Sequence, residues 1–214
     1  MSLHYVITGA ESGIGLSFCR RALQDGHRVT ALCYADSSSL AGTGARIVDG
    51  YDVRLAPPIP ELGMIDRLVL CAGVFKPDSV GAWDFESMLE HFQVNTLGPL
   101  RVVQRCQPHI SKGGRIAILS SCWGSLTENE GGFYAYRASK TALNAAAVSL
   151  AHDLREEEVV VVLLHPGFVS TNLTGFRGKL TPEESVEQLF GLIETVEAKD
   201  SGVFLDYHGQ MVPW

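Results

Sequence analysis

Tyr136 and Lys140 stand four residues apart in Tyr136-Arg137-Ala138-Ser139-Lys140, downstream of an apolar run that ends in Ser120-Ser121. On a helix that step returns to the same face, so the ammonium can lie beside the phenol. A free tyrosine titrates near 10, too high for a proton carrier at neutral pH. A neighbouring cation favours the phenolate and lowers that value. A drop of about three units corresponds to roughly 4 kcal/mol. A serine hydroxyl nearby could hold the oxygen of a carbonyl. These groups together are equipped to move a proton on or off an alcohol. Two such side chains at that spacing are usually no more than surface neighbours, so the reading depends on what surrounds them.

The surrounding elements alternate. Apolar strand signals at Tyr5–Thr8, Arg28–Cys33, Arg46–Val48, Arg67–Cys71, Arg115–Leu119, Val159–Leu164 and Val203–Leu205 are separated by helical patterns. The helices are expected at about Ile14–Gln24, at Phe85–Cys106 with a bend near Gly98-Pro99, at Tyr136–Arg155 and after Thr181. Thr181-Pro182-Glu183-Glu184 reads as a helix start, with proline in the first turn and acids at the positive end. This order predicts an α/β fold, a single Rossmann-type doubly wound parallel sheet of about seven strands with helices on both faces. Leu55–Gly63 carries Pro57, Pro58 and Pro60 where a crossover helix belongs, so a helix there is expected to be shortened or lost. Residues 1–214 read as one domain, without repeats or linkers.

Composition excludes several function classes. Charged residues make up 19% of the chain and hydrophobic residues 46%, as in folded proteins. A net charge of −7 argues against nucleic acid, which needs a basic face. Five cysteines without a C-x-x-C pair and seven histidines without ligand spacing predict reduced thiols and no metal. The aliphatic run Val159–Leu164 is too short to span a bilayer, and no signal-peptide pattern opens the chain, so a cytoplasmic protein is expected.

The Gly-rich segment Thr8-Gly9-Ala10-Glu11-Ser12-Gly13-Ile14-Gly15 falls at the first strand-to-helix junction, where a dinucleotide diphosphate meets a helix N-terminus. Alone it is also an ordinary tight turn. With Tyr136 and Lys140 it makes the whole chain resemble the short-chain dehydrogenases/reductases. Thr8, Gly9, Gly13 and Gly15 match T-G-x-x-x-G-x-G. Leu70-Cys71-Ala72-Gly73 stands for N-N-A-G with both asparagines lost. Asn95, Ser121, Tyr136 and Lys140 match the catalytic tetrad, and Pro166-Gly167-Phe168-Val169-Ser170-Thr171 matches P-G-x-x-x-T. Gly131–Arg137 and Val212-Pro213-Trp214 are most similar to the C-factor and sniffer-type carbonyl reductases.

The resemblance implies an NAD(P)-dependent oxidoreductase that interconverts a carbonyl and a secondary alcohol. Tyr136 would be its general acid/base, Lys140 would depress the tyrosine pKa and bind the nicotinamide ribose, Ser121 would hold the substrate oxygen and Asn95 would support a water relay. Gly124 aligns with the glycine that follows the family serine, which favours Ser121 over Ser120. Cofactor contacts are expected from Gly9, Glu11, Ser12, Gly13, Ile14, Gly15, Tyr34, Asp52, Val53, Cys71, Ala72, Gly73, Tyr136, Lys140, Pro166, Gly167, Val169 and Thr171. Cys33 and Tyr34 offer neither an acid nor an arginine after the second strand, and Glu11 would face a 2′-phosphate, which leans the choice toward NAD(H) over NADP(H). Trp123, Phe133, Tyr134, Phe168 and Phe176 would line a pocket for an apolar, small-molecule ketone or alcohol, beneath a loop at Asn172–Leu180. The resemblance also implies a homodimer or homotetramer through the helices bearing Asn95 and Tyr136. The alternative is a cofactor-binding sensor or signalling protein of the C-factor type.

Overall fold

The structure is a computed structural model that describes residues 2–214. Seven strands, β1 (His4–Thr8), β2 (Arg28–Leu32), β3 (Arg46–Val48), β4 (Ile65–Leu70), β5 (Ile110–Leu119), β6 (Val160–His165) and β7 (Phe204–Asp206), form one sheet in the order β3-β2-β1-β4-β5-β6-β7. Every ladder is parallel. The order reverses at β1, and the crevice between the carboxyl ends of β1 and β4 is where such sheets hold ligands.

Side-chain alternation divides the interior into two cores. Tyr5, Ile7, Ala117 and Val162 face α1 (Gly13–Gln24) and α5 (Pro182–Thr195), through Phe18, Leu189 and Phe190. Val6, Leu68, Ile116 and Val161 face α3 (Gly98–Cys106) and α4 (Tyr134–Asp153), through Val102, Leu143 and Ala147. Strands buried on both faces read as the continuous apolar runs that the sequence shows. Thr181 and Glu184 form the expected reciprocal cap at the start of α5.

The proline-rich crossover from β3 to β4 holds no helix, as its composition predicts. The connection from β2 to β3 also lacks an α-helix and carries only a short turn at Ser38–Leu40, which the sequence did not signal. The long helix expected from Phe85 to Cys106 is three pieces: α2 (Phe85–His91), a π-helical segment (Phe92–Leu97) and α3. The irregularity therefore lies before Gly98-Pro99, over the turns that carry Asn95.

A polar knot ties α5 to the opposite end of the sheet. Glu194 accepts hydrogen bonds from Tyr5 Oη (2.8 Å), Arg67 Nε and Nη2 (both 2.6 Å) and Arg115 Nη1 (3.3 Å). Burial pushes the Glu194 carboxyl up, but the Arg67, Tyr5 and Arg115 contacts outweigh it and hold the group below its ordinary value. A depressed folded pKa stabilises the fold above the unfolded value and loses that stabilisation as pH falls through the folded one. Glu194→Gln is therefore expected to cost roughly 2 kcal/mol at neutral pH. Urea unfolding should show the gap from the unsubstituted protein closing as pH falls through the acid range below the ordinary glutamate value. A gap that stays constant with pH would refute this account of Glu194.

Candidate active site

A cleft of about 240 Å³ opens at the carboxyl ends of β1 and β4. Gly9, Glu11, Ser12, Gly13, Ile14 and Gly15 line it, with Tyr34, Asp52, Val53, Cys71, Ala72, Gly73 and Thr171. Thr8 Oγ1 accepts from Cys71 N (3.1 Å) and Ala72 N (3.2 Å), fastening the two strand ends together. The first helical bond of α1 runs from Leu16 N to Ser12 O (3.1 Å), and the Ser12 side chain makes no capping bond. The N–H groups of Gly13, Ile14 and Gly15 therefore have no helical partner and face the cleft at the positive end of the helix dipole. Glycine is required there: a Cβ on Gly15 would stand 2.1 Å from Gly9 O, and one on Gly9 3.0 Å from Ala72 Cα. A backbone cradle of this kind fits a diphosphate. No cluster of potential metal ligands occurs among the described residues.

Pro166, Gly167 and Val169 do not line the cleft. Gly167 turns at φ +82°, Pro166 O accepts from Ser185 Oγ (2.7 Å), and Val169 bridges Leu180. Together they position the segment that delivers Thr171 to the cleft. The loop beyond it is ordered by Thr174 Oγ1, which bonds Val169 O (2.7 Å), and leaves Phe168 and Phe176 exposed.

The end of the cleft at Tyr34 and Asp52 differs from expectation in one respect. Sequence order places no cation after β2, but the fold brings one from the β3–β4 crossover. Arg54 donates to Asp52 through Nε (2.9 and 3.0 Å) and Nη2 (2.7 Å), reaches Tyr34 Oη (3.3 Å) and lies 5.8 Å from the Tyr34 ring centre. Glu11 Oε2 is enclosed in the same cleft without a partner.

Tyr136 and Lys140 lie on the first turns of α4 and both are buried. Lys140 Nζ donates to Leu119 O (2.8 Å) and stands 5.9 Å from the Tyr136 ring centre. Burial raises the Tyr136 phenol to about 12, partly countered by the neighbouring Ser121 hydroxyl. Burial lowers Lys140 to about 8, with Cys71 opposing. The expected depression of the tyrosine by lysine is thus absent in the protein alone, because the ammonium points to a strand carbonyl and both groups have lost water. The two serines separate cleanly. Ser120 Oγ donates to Asn144 Oδ1 (2.6 Å) inside the core, whereas Ser121 faces the phenol and accepts from Trp123 N (3.2 Å). Asn95 lies in the π segment, and such widened turns are frequent at functional sites. Its Oδ1 accepts from Val74 N (2.8 Å), and its Nδ2 donates to Val74 O (3.0 Å) and Ser139 Oγ (3.1 Å). The side chain is a clamp between the β4–α2 loop and α4.

Sequence reading missed the rest of that clamp. Lys76 N donates to His91 Nε2 (3.0 Å), and Asp78 accepts from Tyr134 N (2.6 Å) and Ala135 N (2.8 Å). Asp78 supplies the cap that α4 lacks, since Phe133 at its N-cap stands in left-handed backbone with no polar side chain. The missing cap residue was the available signal. Strapped in this way, the loop lays Phe75 edge-on to Tyr136 (5.3 Å), beside Trp123 (6.0 Å) and Phe133 (5.5 Å). Trp123 and Phe133 join this wall as expected. Tyr134 packs outward on Trp83, and Phe168 and Phe176 make no ring contact with it.

Comparison with known proteins follows the same lines. Residues 55–180 match the short chain dehydrogenase family. A 1-hydroxy-2-glutathionyl-2-methyl-3-butene dehydrogenase of Rhodococcus sp. (strain AD45) is 35% identical over 98% of each chain. The C-signal protein of Myxococcus xanthus is 42% identical over 71% of this chain and 94% of its own. Among solved structures, the carbonyl reductase Sniffer of D. melanogaster superposes with a TM-score of 0.88 at 26% identity over all of both chains. An NADPH-bound carbonyl reductase from chicken fatty liver superposes with a TM-score of 0.87 at 25% identity, over 100% of this chain and 99% of that one.

Proposed function

The chain belongs to the short-chain dehydrogenase family, and from that premise we propose that it interconverts a ketone and a secondary alcohol with a nicotinamide dinucleotide, using Tyr136 as general acid/base. The observation that carries this reading is the approach of Tyr136, Ser121 and Lys140 to one another, with Lys140 close enough to act on Cys71 in the wall of the glycine-lined cleft. The bound cofactor supplies hydride exchange; the protein supplies position, proton and field. Gly13, Ile14 and Gly15 would hold the diphosphate, and Asp52 and Val53 the adenine. Ser121 would donate to the carbonyl oxygen, and Tyr136 would deliver a proton to it. A phenol held near 12 is fully protonated at neutral pH, the state a reducing acid requires. Lys140, still largely charged below about 8, would offset the phenolate that forms. Asn95 acts in this scheme as a positioning residue, holding Ser139 next to Lys140. The catalytic helix and the helix bearing Asn95 are proposed to pair between subunits, and the protein is proposed to work in the cytoplasm. No helix among the described residues is long and apolar enough to cross a membrane.

The lean toward NAD(H) rested on Glu11 and on a missing cation, and Arg54 stands in that part of the cleft as the cation. The chicken carbonyl reductase carries NADPH. We assign Arg54 to a 2′-phosphate, so NADP(H) is the proposed cofactor. Arg54→Ala is expected to weaken NADPH binding about tenfold or more and to change NADH binding by less than about threefold, from the loss of a charge-assisted contact. Calorimetric titration of both cofactors checks this; equal losses for both would reassign Arg54 to adenine.

The proposal as a whole is tested by consumption of reduced cofactor over a panel of ketones. The similarity to C-signal favours a second reading, a cofactor-binding signalling protein. Tight cofactor binding with no turnover on any ketone would favour that reading.

A further inference from the structure

Arg137 is only 6% exposed, yet its guanidinium makes no hydrogen bond and no ion pair among the described residues. Nε and Nη1 are enclosed without a partner, and Nη2 alone keeps contact with the surface. An uncompensated buried charge costs several kcal/mol. The guanidinium lies 5.0 Å from the centre of the Trp123 ring, and that cation–π contact offsets only part of the cost. The deficit marks a group built to receive an anion.

The surroundings say which anion fits. Trp123 is stacked on Phe133 (4.6 Å between centres, 14° between planes) and stands edge-on to Tyr136 (6.0 Å). The turn at Cys122–Gly124 is fixed over α4 by Thr141 Oγ1, which donates to Gly124 O (2.9 Å). An apolar wall of Phe75, Trp123 and Phe133 thus has the phenol at one end and an unpaired guanidinium at the other. Glu128, which with Arg137 influences the Cys122 thiol, is exposed and makes no ion pair.

Resting on the oxidoreductase reading above, we infer that Arg137 anchors a carboxylate carried by the substrate. The substrate class is then an amphiphilic keto acid or hydroxy acid: its carbonyl or hydroxyl meets Tyr136, an apolar body lies along Trp123, and the carboxylate pairs with Arg137. Nη2, the guanidinium nitrogen left at the surface, is the donor that would meet the carboxylate in a charge-assisted bond.

The test is calorimetric titration of the cofactor-loaded protein with benzoyl-propionate, benzoyl-butyrate and benzoyl-valerate, each beside its methyl ester. At least one acid is expected to bind about tenfold or more tightly than its ester. Arg137→Met should abolish that preference, while Glu128→Gln and Tyr136→Phe should keep it. Ligand-free Arg137→Met is also expected to melt at a higher temperature than the unsubstituted protein, because it removes a buried unpaired charge; a lower melting temperature would mark the guanidinium as a structural prop and count against the inference. Arg137→Gln replaces the methionine variant should that fail to fold. Acid and ester binding alike throughout the series, absence of binding by every acid, or a preference that survives Arg137→Met overturns the assignment. Should the preference follow the expected pattern while no ketone is reduced, the carboxylate site stands and the oxidoreductase reading falls.

Discussion

Tyr136→Phe is expected to lower kcat for carbonyl reduction by about a thousandfold while leaving the cofactor dissociation constant within about twofold. The substitution removes a phenol and keeps a ring held among Phe75, Trp123 and His91. Its hydroxyl has only the Ser121 side chain acting on it as a polar neighbour, so the fold has little to lose. The pH profile of the unsubstituted protein should follow the lysine. Burial lowers Lys140 to about 8, so its charge is present below that pH and lost above it. Reduction is therefore expected to slow as pH rises through about 8, since the developing phenolate then has no cation beside it. Steady-state rates of both proteins across that range check both points. Turnover by Tyr136→Phe close to that of the unsubstituted protein would remove Tyr136 from the chemistry.

Gly15→Ala is expected to abolish measurable cofactor binding and to destabilise the fold by about 2 kcal/mol. The added Cβ would lie 2.1 Å from Gly9 O and 2.8 Å from Gly9 C, both backbone atoms of the turn that forms the cradle. No side-chain rotation relieves such a contact; the turn or the start of α1 must move. The control is Gly191→Ala in α5, where a Cβ meets nothing within 4 Å. There the helix gains about 0.5–1 kcal/mol and cofactor binding is unchanged. Calorimetry and thermal melting of the two variants check the pair. Ordinary cofactor affinity in Gly15→Ala would place the diphosphate elsewhere.

The sheet was legible in the sequence because its strands are buried on both faces and therefore read as apolar runs, as in Val160–Leu164. The lost helix before β4 was legible because Pro57, Pro58 and Pro60 cannot propagate one. The π segment was not, since one more residue in a turn leaves the apolar pattern nearly unchanged, and only the clamp from Asn95 to Val74 and Ser139 reveals its use. Within the cleft, residues carried by short strand-to-helix turns were found where their order places them. Arg54 was missed because it reaches Tyr34 from a separate crossover, a meeting that spacing along the chain does not encode. The same applies to Phe75 and Asp78, which approach α4 from the loop after β4. Lys140 shows the converse: its position was foreseen, but its bond to Leu119 O depends on a neighbouring strand end.

The most direct test of the proposed chemistry is to incubate the protein with reduced cofactor deuterated at the transferable position and with the best ketone, then locate the label by mass spectrometry and NMR. Deuterium on the carbinol carbon of the alcohol, absent when Tyr136→Phe replaces the unsubstituted protein, is the expected result. A protein that binds the cofactor but yields no alcohol, or an alcohol without the label, would contradict it.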